Sequence, residues 1–358
     1  MKILLIGPFP EPVTGESLAN QVLNNYLIAQ NHDVCKLDTS HNILSSKKGA
    51  LNFVQLASLF KGWLQFWKIN FYEIVYITPG QSFFGVVKYA PFIIIAKILK
   101  KKIVVHIHGG GLIQTRSRLK GFKRKFIAFI LGMADRGIVL SSSLRANLSG
   151  VIEETDIFEI SNFASDDVYE IEIDEKKYDR PRVLYLSNLM IGKGIIEVIK
   201  SFEALRDKRI EFRLAGSIES SAKDRIETLI KETNISYLGS VTGLEKILQL
   251  QWSNVSILPT FYETEGQPIS IIEGMVAGNY IITTKQGGIP DIVEDKLNGS
   301  IINARSTDEI VEILSTLERT PDILKTVGIK NYASTRKKYR VSRFGDDIIK
   351  VLKTLETS

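Results

Sequence analysis

Two glutamates, Glu265 and Glu273, stand eight positions apart and bracket a predicted helix start. An apolar, strand-like run ends at Pro259, and Pro268 suits the first turn of a helix because its missing N–H has no intrahelical partner there. The amides of such an N-terminus, together with the positive end of the helix dipole, bind phosphate readily. Each carboxylate can clamp paired hydroxyls of a ribose or pyranose ring. The segment therefore predicts a site for a phosphorylated sugar or nucleotide.

Lys193 is a second candidate, in a polar loop that follows the strand-like run 182–187. An ammonium is a compact point charge and suits the neutralisation of phosphate groups. A lysine before a glycine is more often a solvated turn residue. The residue type and its place in a loop leave both roles open.

The first half of the chain offers a glycine loop and a pair of histidines. Residues 7–16 link the first predicted strand to its helix without the G-x-G-x-x-G pattern, which argues against a nicotinamide or flavin enzyme. His106 and His108 lie two apart on a predicted strand and so share one face. That spacing could hold a metal ion, but no third ligand is evident nearby, and we expect no metal site.

Short runs rich in Val and Ile alternate with helical patterns along the whole chain. The predicted strands are residues 2–7, 33–38, 74–78, 102–108, 137–141, 157–162, 182–187, 211–216, 235–239, 255–259, 280–284 and 299–303. Several are apolar almost throughout, as strands buried on both faces are. Alternation of this kind gives parallel sheets with right-handed crossovers. The series restarts after the acidic stretch 166–180, so the predicted fold class is α/β, with two facing Rossmann-like doubly wound parallel-sheet domains.

The predicted domains are residues 1–165 and 166–339. A helix near the end of the chain, within 340–358, is expected to pack back on the first domain. In open α/β sheets, ligands bind at the carboxyl ends of the strands. The glutamates, Lys193 and the histidines all stand at such ends.

The composition of the 358 residues is that of a folded protein, with 44% hydrophobic and 24% charged residues. Cys35 is the single cysteine, which excludes an internal disulfide framework and suggests a reducing, cytoplasmic compartment. No signal peptide is evident. The most apolar window, 83–99, is interrupted by two lysines and a proline, and we expect it to form a buried helix rather than a membrane span.

The net charge of +6 is concentrated in one segment, 116–126, which begins at Arg116, ends at Phe126 and holds six basic and no acidic residues. One interpretation is a solvated helix face. The other is a surface-lying helix that contacts anionic membrane headgroups, since Leu119, Phe122 and Phe126 interleave with the charges. An acidic acceptor would suit the same charges. Nucleic acid is disfavoured because no nucleic-acid motif accompanies the charge.

The segment from Glu265 to Gly278 resembles the E-x7-E motif of the retaining glycosyltransferases of the GT-B fold, family 4 (glycosyl transferases group 1). Both glutamates match, and Gly274-Met275-Val276-Ala277-Gly278 matches the ending that follows the motif. The resemblance implies that Glu265 contacts the donor sugar and Glu273 the ribose hydroxyls. It also implies that the amides of Ile269 and Ser270 hold the diphosphate, with Gly266 and Pro268 alongside.

Four further matches extend the resemblance over most of the chain. The run 185–194 resembles the G-R-L-x-x-x-K-G signature, with Lys193 on the phosphate-binding lysine and Asn188 in place of the arginine. Residues 287–291 resemble the G-G-I-P-E turn. Gly15 falls in a loop that resembles the family's N-terminal glycine loop, which approaches the diphosphate. His108 stands at the position of the family's histidine that contacts the donor sugar.

The family implies transfer of a sugar from a nucleotide-diphosphate sugar, with a UDP-sugar favoured, and retention at the anomeric carbon. The implied catalytic residues are Glu265, His108 and Lys193, and no metal or cofactor is expected. A saccharide or polyprenyl-linked saccharide acceptor in cell-surface polysaccharide synthesis fits best, at the inner face of the cytoplasmic membrane. A catalytically inactive nucleotide-sugar-binding protein and a nucleotide-sugar epimerase of the same fold remain as alternatives.

Overall fold

A computed structural model describes residues 1–40 and 65–356. The chain divides into two compact units, one formed by Met1–Ser161 with Val341–Ser358 and the other by Asn162–Arg340. In the part of the chain that the structure describes, no helix combines the length and the hydropathy needed to cross a membrane.

The first unit holds one parallel sheet, in the spatial order β2-β1-β3-β4-β5-β6 among its described residues. The strands are β1 (Lys2–Gly7), β2 (Asp33–Asp38), β3 (Ile74–Ile77), β4 (Lys102–Ile107), β5 (Arg136–Val139) and β6 (Ile157–Glu159). Ile3 to Ile6 and Ile103 to Val105 are buried on both sides of their strands, which explains the unbroken apolar runs. All six strands coincide with predicted ones, with ends that differ by a few residues.

Helix α1 (Gly15–Ala29) follows β1. The predicted helix over 83–99 is wrong as a single element, because the structure forms α2 (Phe83–Val87) and α3 (Ala90–Ile98) instead. Pro91 lies in the first turn of α3, where its missing N–H costs nothing; in a continuous helix it would remove a hydrogen bond and clash with the preceding turn. A 3₁₀ helix, Phe66–Phe71, precedes β3 and packs on α3.

The basic segment 116–126 is likewise not one helix. Helix α4 (Leu112–Arg118) ends at Leu119, which has extended backbone angles, and α5 (Gly121–Leu131) begins after Lys120. Gly121 has a φ of +55°, a conformation that glycine adopts without strain. The segment therefore joins the end of one helix to the first turns of the next.

The second unit, which the structure describes throughout, holds a second parallel sheet in the order β12-β11-β10-β7-β8-β9. Its strands are β7 (Arg182–Leu186), β8 (Glu211–Ala215), β9 (Ser236–Tyr237), β10 (Val255–Leu258), β11 (Tyr280–Thr284) and β12 (Gly299–Ile302). All coincide with predicted strands. Two doubly wound parallel sheets are present, and the predicted α/β fold class is confirmed.

The connecting helices of the second unit are α6 (Ile195–Ala204), α7 (Lys223–Thr233), α8 (Gly243–Trp252), α9 (Ile269–Val276), α10 (Thr307–Arg319) and α11 (Asp322–Thr335). Helix α12 (Val341–Lys353) returns to the first unit and packs on α1. There Tyr26 Oη donates to Asp346 Oδ1 at 2.7 Å, and Phe344 is fully buried.

Candidate functional site

The loop between β10 and α9 brings Glu265 and Lys193 together. The Glu265 carboxylate is buried, and its Oε2 accepts a hydrogen bond from Thr260 Oγ1 at 3.1 Å and lies 3.5 Å from Lys193 Nζ. Thr260 directly follows the buried end of β10 and is itself fully buried. The pair places one carboxylate and one ammonium at the carboxyl edge of the second sheet, where ligands of such sheets bind.

Backbone contacts hold the Glu265 loop in place. Gly288 N donates to Gly266 O at 2.8 Å, and a Cβ on Gly287 would lie 2.1 Å from Glu265 O. Gly287 also has a φ of +55°. Gly287 and Gly288 therefore bring this turn close to the backbone of Glu265 and Gly266.

Lys193 ends a 3₁₀ turn, Ile191–Lys193, and Gly194 follows with a φ of +77°. A Cβ on Gly194 would lie 2.4 Å from Pro259 O, so only glycine fits here. Phe261 N donates to Gly192 O at 2.8 Å. The two loops that carry Lys193 and Glu265 are thus fastened to each other by their backbones.

Helix α9 begins at Ile269, which confirms the predicted helix start near Pro268, but Pro268 is the N-cap and does not lie in the first helical turn as predicted. Proline has no side-chain acceptor, so Pro268 does not cap the first amides of the helix. The amides of Ile271 and Ile272 bond back to Pro268 O, whereas those of Ile269 and Ser270 belong to the first turn, which has no intrahelical partners. Gly266, Pro268 and Ile269 are buried and Ser270 is half-buried.

Glu273, one turn into α9, is also buried and is paired with a lysine that the sequence did not single out. Its Oε1 lies 2.7 Å from Lys246 Nζ on α8 and accepts a hydrogen bond from Ser165 Oγ at 2.8 Å. Lys246 Nζ also donates to Ser165 Oγ at 2.6 Å and lies 4.0 Å from Asp167. Ser165 and Lys246 are far from Glu273 along the chain, and no motif marks them. Thr260, by contrast, could have been found from the sequence as a candidate site residue, because it is a polar residue at the end of a predicted strand.

Asn188, which stands where the resemblance expects arginine, has its side chain engaged within the unit. Ser217 Oγ donates to Asn188 Oδ1 at 2.9 Å, and Tyr185 Oη donates to Asn188 O at 3.0 Å. The position is half-buried and carries no charge. Asn162 is tied to the same loop as Glu265, because its N–H donates to Gln267 Oε1 and its Nδ2 to Gln267 O.

In the first unit, His106 and His108 stand at the carboxyl end of β4, with ring centroids 3.9 Å apart. His106 is hydrogen-bonded to Tyr76 Oη at 2.5 Å. Burial lowers the pKa of His108 to about 3, so its imidazole is neutral at physiological pH. The buried His108 Nδ1 has no hydrogen-bond partner among the described residues. Within residues 1–40 and 65–356, no group of three His, Cys, Asp or Glu side chains could hold a metal ion.

Gly15 opens α1 at the carboxyl edge of the first sheet. Thr14 caps the helix by accepting from Ser17 N at 3.1 Å, and a Cβ on Gly15 would meet nothing within 4 Å. The next residue, Glu16, lies near Lys88: burial raises the pKa of Glu16 to about 7, and burial lowers the pKa of Lys88 to about 8. Gly15 and His108 are thus in the first unit, and the other predicted site residues are in the second.

The basic side chains of the segment 116–126 differ in what they contact. Arg116 Nη1 donates to Asn147 O at 2.8 Å and Ser149 O at 3.3 Å, so this guanidinium binds the chain's own carbonyls. Lys120, Lys123, Arg124 and Lys125 are exposed on α5 and just before it.

Residues 169–334 match the family described as glycosyl transferases group 1. Poly(ribitol-phosphate) alpha-N-acetylglucosaminyltransferase of Staphylococcus aureus is 23% identical over 206 residues, which are 56% of this chain and 40% of that protein. The chain therefore spans less than half the length of that relative. An uncharacterized 41.2 kDa protein in the cps region of Klebsiella pneumoniae is 21% identical over 306 residues, 83% of each chain.

Among solved structures, Alr3699/HepE of Anabaena in complex with UDP and glucose superposes with a TM-score of 0.72 at 15% identity and covers 99% of both chains. At that identity the likeness shows the fold, which is GT-B, and not the substrate. The matched family region fills nearly all of the second unit, the unit that holds the Lys193–Glu265 and Lys246–Glu273 pairs. Residues 169–334, within the second unit, belong to the glycosyl transferases group 1.

Proposed function

We propose that this chain is a retaining glycosyltransferase that moves a sugar from a nucleoside-diphosphate sugar to a saccharide or lipid-linked saccharide. The observation that carries the proposal is the Lys193–Glu265 pair, whose glutamate lies in the loop that leads into the first turn of α9, a turn without a side-chain cap. One cation, one carboxylate and two helix amides are the groups needed for the diphosphate and the sugar of such a donor.

In the proposed donor complex, the diphosphate accepts hydrogen bonds from the amides of Ile269 and Ser270 and lies against Lys193. Negative charge grows on the leaving diphosphate as the glycosidic bond breaks, and a fixed ammonium and helix amides stabilise such charge because they need no reorientation. Lys193 would then exchange its contact with Glu265 for one with phosphate. Glu265 would accept hydrogen bonds from the sugar hydroxyls.

The proposed role of Glu273 is to hold the ribose. Lys246 and Ser165 both contact Oε1, which leaves Oε2 as the oxygen that makes neither of these bonds. A carboxylate held from one side keeps a fixed orientation toward a ligand on the other. Lys246 is therefore proposed as a positioning residue for Glu273.

The proposed reaction is a substitution on one face of the sugar. The bond between the anomeric carbon and the diphosphate oxygen breaks, and a bond to the acceptor oxygen forms on the same face. The acceptor's hydroxyl proton passes to the departing phosphate oxygen, so no oxidant or reductant is required. His108, which is neutral, and Gly15 keep their predicted roles as contacts of the donor.

The substrate classes are supported by relatives. One relative is by name a transferase that acts on poly(ribitol-phosphate), and another is encoded in a cps region, which fits a role in cell-surface polysaccharide synthesis. A structural neighbour was solved with UDP and glucose, which favours a UDP-sugar.

A thermal-shift screen against UDP, GDP, ADP and their sugar conjugates tests the donor. A ligand that binds only the folded state at about 100 times its Kd adds roughly 2.7 kcal/mol of stability. We expect one nucleotide class to raise the melting temperature and Glu273→Ala to remove that shift. If no nucleotide raises it, the proposed donor site is wrong. If nucleotides bind but no sugar is transferred to any saccharide acceptor, the alternative of an inactive nucleotide-sugar-binding protein is favoured.

A further inference from the structure

The helices between β3 and β5 carry many basic and no acidic residues. Between Glu73 and Asp135 the chain holds eleven lysines and arginines and no aspartate or glutamate. By contrast, each of the helices α6 to α11 in the second unit contains at least one acidic residue. The bias is therefore a property of one region and not of the whole chain.

These helices cover the same face of the first sheet. The connections from β3 to β4 and from β4 to β5 step in the same direction along the sheet, so right-handed crossovers put α2 to α5 on one face. The 3₁₀ helix Phe66–Phe71 packs on α3, and α3 packs on α5. Helix α1 connects β1 to β2 in the opposite direction and lies on the other face.

Large apolar side chains project from this layer into solvent. Six of them are more than half exposed: Trp67, Phe71, Phe84, Ile98, Phe122 and Phe129. We call the exposed side of the 3₁₀ helix, α2, α3 and α5 the lysine–aromatic face. In the second unit, which the structure describes throughout, Leu244 and Leu248 on α8 are the only large apolar side chains exposed to this degree.

Helix α5 shows how the face is built. Phe122, at 77% exposure, and Phe129, at 63%, lie on the same side of the helix as Lys125, since their spacing is three and four residues. Ile127 and Ile130 point into the core. The helix thus buries one apolar side and presents a second, aromatic side to solvent.

The basic side chains lie beside the aromatic ones. Lys123 Nζ is 5.5 Å from the centre of the Phe83 ring, which packs on Phe126 with ring centroids 6.2 Å apart. Phe122 packs on Phe126 at 5.9 Å. Lysine stems lie along apolar surface while their ammonium groups stay in a polar layer, an arrangement suited to a boundary between an apolar and an anionic phase.

We propose that the lysine–aromatic face docks on the surface of an anionic lipid bilayer. Phe122 and Phe129 enter the boundary between headgroups and acyl chains, and the surrounding lysines contact anionic headgroups. An acidic polysaccharide would match the charge but leave the exposed phenylalanines in water. Nucleic-acid bases stack on aromatic rings, but a nucleic acid would leave the aliphatic Ile98, which is 71% exposed, in water. A bilayer accommodates the basic, aromatic and aliphatic side chains together. This inference extends beyond sugar transfer and does not depend on the proposed donor site.

Vesicle co-sedimentation of the full chain tests the proposal. We expect binding to vesicles of equal parts phosphatidylglycerol and phosphatidylcholine, weaker binding at high salt, and little binding to phosphatidylcholine alone. The double variant Phe122→Ser/Phe129→Ser should bind at least about tenfold more weakly. The matched control is Leu244→Ser/Leu248→Ser, which removes two equally exposed apolar side chains from the second unit and should bind like the unaltered chain.

A second variant separates insertion from adsorption. Phe122→Trp should show a larger blue-shifted emission component with the mixed vesicles than the unaltered chain, in which Trp67 already lies on this face. No binding to the anionic vesicles would overturn the proposal. It would also be overturned if the phenylalanine pair had no effect, because charge alone would then hold the protein, or if the control pair weakened binding equally.

Discussion

The carboxyl edges of the two sheets are built from similar elements but handle charge differently. In the second unit, two buried carboxylates are paired with lysines, Glu265 with Lys193 and Glu273 with Lys246. In the first unit, burial shifts the ionisable groups toward their neutral forms: the pKa of His108 falls to about 3 and that of Glu16 rises to about 7.

The difference bears on what each edge is proposed to bind. In the proposed donor complex, an incoming anion replaces a carboxylate as the partner of a lysine. Neutral polar groups donate and accept hydrogen bonds without the cost of burying a charge. A diphosphate is the ligand proposed for the second edge, and uncharged hydroxyls are proposed for the first. Each of the following experiments tests one side of that contrast.

The largest effect is expected for Glu265→Gln. The amide keeps an oxygen for Thr260 but loses the charge, and turnover should fall by about 10³-fold, near 4 kcal/mol, while the fold is retained. Steady-state kinetics of sugar transfer measure the loss. The control is Glu263→Gln, an exposed glutamate in the same loop, which should transfer sugar at nearly the original rate. Equal activity of the two variants would remove Glu265 from the proposed chemistry.

Lys246→Met should destabilise the second unit by about 3 kcal/mol, because it leaves the Glu273 carboxylate buried without its cation. Urea denaturation measures the change. The double variant Lys246→Met/Glu273→Gln should recover part of the loss, since no unpaired charge remains. Additive losses in the double variant would show that the two side chains do not act as a pair.

Gly15→Ala tests the first edge. The new Cβ meets nothing in the protein, so stability should be unchanged, while donor binding should weaken roughly tenfold if the donor approaches this backbone. The contrasting variant is Gly194→Ala, whose Cβ would lie 2.4 Å from Pro259 O and which should lose stability. Unaltered donor binding by Gly15→Ala would contradict the predicted role.

The smallest effect concerns Glu16 and pH. Its pKa is raised from 4.5 to about 7 in the folded protein, so the folded state holds a proton that the unfolded chain has released. The stability from this group is complete below pH 4.5 and is lost as the pH rises through about 7. The melting temperature should fall over that interval, and that of Glu16→Gln should fall less. Identical pH profiles would show that Glu16 does not titrate there.

Much of the site was predictable because its residues are local in the chain. The strand before Pro259, the proline at the helix start and the spacing of Glu265 and Glu273 all lie within residues 255–273 and depend on backbone rules alone. The break at Pro91 was also available from the sequence, yet the apolar run around it concealed it. For the helix break at Leu119, the sequence signal is Gly121 alone.

The sequence by itself determined the two parallel sheets, the strand ends that carry polar residues and the helix start near Pro268, since periodicity and turn chemistry act over a few residues. Tertiary structure decided which charges meet. Ser165, Lys246 and Glu273 converge from three separate elements, and Arg116 is drawn to the carbonyls of Asn147 and Ser149. Such pairs depend on how helices pack across a sheet. No local pattern in a single sequence specifies which residues, far apart in the chain, come into contact.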